Sequence, residues 1–361
     1  MTDLDLLVLA HNAPPVDGGI ERLVDGICRH VAPGRTALAR PPHEGADALP
    51  YPVHPTVLVG ARPPRWWATR KALTTLPPST VTVCAEWWPE ARALASLPRR
   101  RRAGTRVAVV HGTEVVRSLA DRRLRRSLTR SLHGMDVVIA DSEYTAALAR
   151  GLGVTPIVVL PGVDLEVPVE DPATVARELD LEGRRIVLTV ARLVPRKGHR
   201  LLLPHWPQVV AAAPDAVWVI AGDGPERAHL ESVAGASVRL LGRVEERRLR
   251  SLYRLADVHV MPGIEVDGDV EGFGMAAVEA AAGGAPTVAT GIGGVGEAIG
   301  DGGIVVAPGD HAALAAALVE VLTDDDLRAR LRARARARAE DLAWPHYGAR
   351  FRRAVGLDGA P

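Results

Sequence analysis

Leu160-Pro161-Gly162-Val163-Asp164-Leu165-Glu166-Val167-Pro168 closes one run of alternating elements and opens another. An apolar stretch of strand length, Pro156 to Leu160, ends there, and a fresh helix start follows at Asp171-Pro172. Proline and glycine between them keep either element from continuing, so the stretch reads as a domain junction. Before it, strand-length apolar runs at Leu4 to Ala10, Thr80 to Ala85, Arg106 to His111 and Asp136 to Ala140 are mostly separated by helical patterns. After it, such runs recur at Arg185 to Ala191, Ala216 to Ala221, Ser237 to Leu241, Asp257 to Met261, Pro286 to Ala289 and Gly303 to Val306. Strands alternating with helices call for crossover connections and parallel pairing, so each half is expected to form a doubly wound α/β domain.

Composition narrows the classes of function. The chain has 361 residues, enough for two domains each with its own core. Its 47% hydrophobic and 24% charged residues are a globular balance, and no apolar run reaches the roughly 20 residues of a membrane-spanning helix. A formal net charge of +1 provides no global field for nucleic acid. Cys28 and Cys84 are too few for a disulfide framework. The opening Met1 to Ala10 carries acids where a secretory signal has basic residues, so a cytoplasmic protein is expected. Arginine supplies almost all the positive charge, the only lysines being Lys71 and Lys197, which makes each lysine worth explaining.

The strongest chemical signal is Glu271-Gly272-Phe273-Gly274-Met275-Ala276-Ala277-Val278-Glu279. Gly272 and Gly274 let backbone amides approach a ligand, and the helix they open offers its positive end to an anion such as phosphate. Eight residues of helix rise about 12 Å, so two glutamates at that spacing could reach separate parts of one extended ligand. Carboxylates accept hydrogen bonds from hydroxyl groups, which points to sugars.

This stretch resembles the E-x7-E signature of the retaining glycosyltransferases of family 4, and further segments match in order. Val190-Ala191-Arg192-Leu193-Val194-Pro195-Arg196-Lys197-Gly198-His199 is similar to the family's basic motif. Ala221-Gly222-Asp223-Gly224-Pro225 and Leu241-Gly242-Arg243-Val244 resemble its strand-end loops beside the base, and Gly293-Gly294 with Glu297 its closing segment. Gly18-Gly19-Ile20-Glu21-Arg22 resembles the glycine loop facing the donor, His111-Gly112 the histidine near the sugar, and Asp141 to Thr145 the pre-hinge helix start. The resemblance implies the GT-B fold, two Rossmann-like domains facing each other across a cleft. Residues 1–163 would bind the acceptor and 164–341 the nucleotide sugar, while 342–361 would form a C-terminal helix crossing back to the first domain.

The same resemblance implies transfer of a sugar from a UDP or GDP donor to a small-molecule, lipid or saccharide acceptor, with retention and without a metal or resident cofactor. Glu271, Arg192, Lys197 and His111 would form the catalytic set. Gly18, Gly19, Gly222, Gly242, Arg243, Val244, Gly272, Phe273, Gly274 and Glu279 would bind the donor, Glu279 through its ribose. An epimerase or hydrolase of the same fold, or a non-catalytic nucleotide-sugar-binding subunit, stays open.

Other patterns are weighed against plainer readings. Gly291-Ile292-Gly293-Gly294-Val295-Gly296 spells a dinucleotide-binding glycine pattern, but the glycines at 300, 302 and 303 leave about two turns of helix, too few for the usual crossover. Asp267-Gly268-Asp269 reads as a turn rather than a metal motif. Arg99 to Arg102, with Arg117, Arg122, Arg123, Arg125, Arg126 and Arg130, reads as a solvated face, although it could also meet a membrane surface. Arg328 to Glu340 is expected to be a solvated helix, and Arg40 to Pro64 a surface excursion. Trp66-Trp67 and Trp87-Trp88 could line an acceptor site or fill a core. Pro204 and Pro207 should shorten or kink the helix after Lys197.

Overall fold

The structure is a computed structural model that describes residues 4–16, 18–58, 66–266 and 268–358, with the Trp66 side chain outside the described set. The chain divides into a first unit, Met1–Gly162 with Trp344–Pro361, and a second, Val163–Ala343. These edges differ slightly from the expected 163/164 and 341/342. Val163 and Ala343 form a parallel bridge, and the Val163 N–H donates to the Leu342 carbonyl at 2.9 Å, so both ends of the second unit are tied together. The last helix then starts at Trp344, with Pro345 in its first turn, where a missing N–H costs nothing.

In the first unit, β1 (Leu4–Leu9), β2 (Thr36–Arg40), β3 (Val53–Pro55), β4 (Ser79–Cys84), β5 (Thr105–Val110), β6 (Val137–Ala140) and β7 (Ile157–Val158) form one sheet in the order β3-β2-β1-β4-β5-β6-β7. Every pairing is parallel. The sheet is buried on both faces, which is why its central strands read as continuous apolar runs. β2 and β3 escaped the periodicity reading, and the expected surface excursion from Arg40 onward is in part sheet. Arg40 is buried, its guanidinium donating to the Ala13 and Pro41 carbonyls, and Tyr51 is buried with its hydroxyl on Asp25. Strands of five and three residues, Thr36–Arg40 and Val53–Pro55, are too short to set up an apolar alternation.

The second unit holds β8 (Arg185–Val190), β9 (Ala216–Ala221), β10 (Val238–Gly242), β11 (Val258–Met261), β12 (Thr287–Thr290) and β13 (Gly303–Val306), in the order β10-β9-β8-β11-β12-β13. The helix after Lys197 is broken into His199–Leu202 and Trp206–Ala212 around Pro204, as the prolines foretold. The helix after the Gly291 pattern spans only Val295–Ile299. The arginine-rich helix Asp325–Asp341 is less solvated than expected. Leu331, Ala335 and Ala339 are buried at four-residue spacing. Arg328, Arg332 and Arg338 donate to carbonyls at Val321, Ala256 and Ala298, pinning one face of the helix to the unit.

The helix Trp344–Val355 belongs to the first unit. Trp344, Tyr347, Phe351 and Val355 enter the core beside the helix Gly19–His30, and Arg352 donates to the His30 and Val31 carbonyls. The Trp344 ring lies 2.2 Å from where a Cβ on Gly26 would sit, so this contact needs a bare backbone. Gly26→Ala should therefore destabilise the protein by about 1–3 kcal/mol despite alanine's better helix propensity. Denaturation followed by tryptophan fluorescence checks it, and an unchanged midpoint would refute this packing.

Candidate functional site

In an open parallel sheet, crossovers that leave the first strand in opposite directions open a crevice at the carboxyl edge, where ligands bind. In the second unit this point lies between β8 and β11. The loop after β8 carries Arg192, Arg196 and Lys197, and the loop after β11 carries Asp269 and Glu271. Folding brings the two loops together. The Ile264 N–H donates to the Arg196 carbonyl at 2.8 Å, and a Cβ on Gly198 would stand 1.8 Å from the Pro262 carbonyl oxygen. Gly198 has φ of 71°, a left-handed conformation that favours glycine, and so only this residue lets Lys197 sit so close to β11.

Glu271 is the centre of the cluster. One carboxylate oxygen accepts from Arg196 Nη1 at 2.7 Å and from Lys197 Nζ. Arg196 Nε lies 3.1 Å from Asp269 Oδ2, an ion-pair contact outside hydrogen-bond geometry. Burial opposes ionisation of Glu271, but Lys197 and Arg196 outweigh it and hold the carboxyl down at about 2. Its main chain is fixed as well. The Gly294 N–H donates to the Glu271 carbonyl at 3.2 Å, and Gly293, at φ of 52°, approaches that oxygen too closely for any Cβ. Below the Lys197 loop, burial holds His199 down at about 4 and His259 at about 3, with Lys197 adding like charge, so this floor is neutral near pH 7.

Gly274 caps the helix Met275–Ala282 in a left-handed conformation without a side-chain cap, which leaves first-turn N–H groups for an anion. Phe273 is buried beneath the turn. Glu271 precedes this helix, so the helical-rise estimate for the two glutamates does not apply. Glu279 points elsewhere. It is buried, accepts from the Tyr253 hydroxyl at 3.0 Å, and lies 3.7 Å from Arg250 Nη2 at a small pocket lined also by Asp164 and Arg254.

The remaining sequence candidates fall into two groups. At the strand ends, the Gly222 N–H donates to the Gly242 carbonyl at 2.7 Å, and Leu193 exchanges main-chain bonds with Asp223 and Glu226, so the expected base-side loops adjoin the β8 loop. Arg192 and Arg243 are exposed, while Val244 packs on the core. Arg196, rather than Arg192, is the guanidinium on Glu271. Its position beside Lys197 was the available signal, but the contact arises from folding.

The other candidates lie in the first unit. Gly18 precedes the helix Gly19–His30 in extended backbone and accepts from the Arg22 N–H at 3.0 Å. His111, at the end of β5, has both ring nitrogens engaged, Nδ1 with Asp141 at 3.0 Å and Nε2 with the Ala85 carbonyl at 2.9 Å. A carbonyl and a carboxylate both accept, so the ring donates twice and is an imidazolium. Burial opposes this charge, but Asp141 and nearby carboxylates raise the ring to about 10. Trp87 is buried in the core, and Trp67 is 61% exposed. Asp267 lies outside the described residues, and among those described no group of His, Cys, Asp or Glu could hold a metal ion.

Comparison with known proteins settles the family. The family model described as glycosyl transferases group 1 matches residues 173–338, and that of glycosyltransferase family 4 matches residues 18–167. A GDP-mannose-dependent alpha-(1-6)-phosphatidylinositol monomannoside mannosyltransferase from Mycolicibacterium smegmatis is 31% identical over 96% of each chain. The chain belongs to glycosyltransferase family 4. The protein of the same name from Mycobacterium tuberculosis is 31% identical over 89% of this chain and 90% of that one. Among solved structures, Anabaena Alr3699/HepE in complex with UDP has a TM-score of 0.80 at 17% identity, over 98% of this chain and all of that one. Sucrose-phosphate synthase from Thermosynechococcus elongatus has a TM-score of 0.78 at 20% identity, over 98% of both. These neighbours share the two-sheet GT-B fold with this glycosyltransferase.

The two charged centres respond oppositely to pH. Glu271, depressed from 4.5 to about 2, contributes stability that is present above about pH 4.5 and lost as pH falls through 2. His111, raised from 6.5 to about 10, contributes stability that is complete below 6.5 and lost as pH rises through 10. The stability gap between wild type and Glu271→Gln should close toward pH 2, and that for His111→Gln toward pH 10. Urea titrations across pH check both, and gaps independent of pH would overturn the assigned charges.

Proposed function

We propose that this glycosyltransferase moves mannose from GDP-mannose to a hydroxyl on the headgroup of a phosphoinositide-type lipid, with retention of configuration and without a metal or resident cofactor. The observation that carries the reading is the Glu271, Lys197 and Arg196 cluster at the carboxyl edge of the second sheet. GDP-mannose and the lipid class rest on the names of the mannosyltransferase relatives. In this reading the second unit holds the donor, the first unit binds the acceptor, and the protein works in the cytoplasm.

The residues divide the work by charge. The first-turn amides of the helix Met275–Ala282 and the cations Arg192 and Lys197 receive the diphosphate. Lys197 has to leave Glu271 to do so, and Arg196 then keeps Glu271 ionised. Ionised Glu271 accepts hydrogen bonds from the mannose hydroxyls and faces the positive charge that develops on the ring. Glu279, oriented by Tyr253 and Arg250, accepts from the ribose. The bond from the anomeric carbon to the phosphate oxygen breaks as the bond to the acceptor oxygen forms on the same face. The acceptor proton passes to the departing phosphate. Negative charge grows on GDP, so Arg192 and Lys197, once on the diphosphate, stabilise the transition state more than the ground state.

Radiolabelled GDP-mannose with phosphatidylinositol or its monomannoside in detergent micelles, in EDTA, should yield a mannosylated lipid whose anomeric configuration NMR identifies as α. Lys197→Ala should lower kcat about 10²–10³-fold, the usual cost of losing one group that stabilises developing negative charge. Turnover of a UDP-sugar in preference to GDP-mannose would refute the donor. An absolute need for a divalent cation would refute the metal-free mechanism.

A further inference from the structure

The first sheet has its own topological switch point, between β1 and β4. Its carboxyl edge holds a second set of polar side chains, which no part of the donor chemistry uses. His11 follows β1, and Glu86 and Glu90 follow β4. Glu90 is fully buried and accepts from His11 twice through Oε1, from the main-chain N–H at 2.7 Å and from Nδ1 at 2.8 Å. Glu86 Oε2 accepts from Asn12 Nδ2 at 2.9 Å and lies 3.1 Å from His11 Nδ1.

Two oxygens in this set remain without a donor. Glu90 Oε2 is buried with no hydrogen-bond partner. Glu86 is 93% buried, but its Oε1, which accepts no hydrogen bond among the described residues, is not one of the buried unpartnered atoms and so keeps contact with solvent. Native proteins rarely leave an acceptor such as Glu90 Oε2 unmet, because a buried carboxyl oxygen loses its water and gains nothing in return. His11 keeps 22% of its side chain exposed, so the crevice opens at its rim. Glu86 Oε1 thus offers an open acceptor behind a half-open rim, at the point of a parallel sheet where ligands bind, to a molecule that brings O–H donors.

We propose that Glu86, with His11 and Asn12 at its rim, is the subsite that receives a hydroxyl-bearing ring of the acceptor, Glu86 Oε1 accepting a hydrogen bond from a ring hydroxyl. The class of ligand is a neutral polyol ring, a sugar or a cyclitol. Glu90 acts as a positioning residue, fixing the His11 ring rather than touching the ligand. The inference rests on the first unit being the acceptor unit and is independent of the donor's identity.

The charged surroundings predict its pH dependence. Burial raises Glu86 to about 7, with His11 and His111 opposing that rise and Glu90 adding to it. Glu114, on the helix Gly112–Ala120 at the end of β5, is raised by burial to about 8, and His11 is held up at about 9 by Glu90 and Glu86 against its own burial. Asp141, after β6, faces the same group through His111. Between pH 6 and 8 both histidines therefore stay charged, and Glu86 passes from acid to carboxylate.

Saturation-transfer NMR on the GDP-saturated full chain, with methyl α-mannopyranoside and myo-inositol as probes, tests the site without any turnover. Wild type should give signals from at least one probe that weaken as pH falls from 8 to 6. In Glu86→Gln they should be at least fivefold weaker at pH 8, with GDP binding and the thermal transition retained. Asn12→Ala, on the rim, should weaken them as well and serves if Glu86→Gln fails to fold. Equal signals from wild type and a folded variant overturn the proposal, as does the absence of signal from both probes in wild type. Failure of GDP-mannose turnover with these signals intact would instead refute the donor assignment alone.

Discussion

The constraint on which the molecule depends is the point in each parallel sheet where the strand order turns back. Parallel strands need crossovers, and crossovers leaving the first strand in opposite directions part at its carboxyl end. In the second unit the first strand is β8 and its neighbour across the divide is β11, so the loops after these strands must meet there. Lys197 comes from one loop and Glu271 from the other, and their ion pair is the chemical content of that meeting. The first unit repeats the arrangement between β1 and β4, with His11 and Glu86.

The two crevices differ in their charge balance. Glu271 is outnumbered by cations and stays ionised far into the acid range. The first unit instead gathers several carboxyl groups around two histidines, so burial pushes Glu86 up to about 7 and Glu114 to about 8, while the carboxyl groups hold His11 at about 9 and His111 at about 10 against their own burial. A site rich in cations suits a diphosphate, and one rich in carboxylates suits hydroxyl groups. The same backbone solution thus carries two charge balances, decided by which side chains end the strands.

Close backbone approach is what makes the second site rigid. Gly198 against the Pro262 carbonyl and Gly293 against the Glu271 carbonyl hold the loops at distances no side chain permits. The glycines that looked like a dinucleotide motif serve this purpose in part. Gly293 and Gly294 clasp Glu271, and the helix that follows them is only five residues long.

By itself the sequence determined the architecture and singled out Glu271 and Lys197. Long apolar strands separated by helical patterns leave a parallel α/β fold as the consistent outcome, and Glu271 with the glycine turn at 272 to 274, like Lys197 with Gly198, stands in a short stretch that can be read without the fold. The sequence was mute where contacts join distant segments. Arg196 reaches Glu271 across 75 positions, Glu90 reaches His11 across 79, and Glu279 turns to Tyr253 on another helix. Strands β2 and β3 were likewise invisible, because they are five and three residues long and the burial of Arg40 is secured by carbonyls on a neighbouring loop. Which charge faces which is a property of tertiary packing, since a side chain's protonation depends on the desolvation and partners that only the folded chain provides.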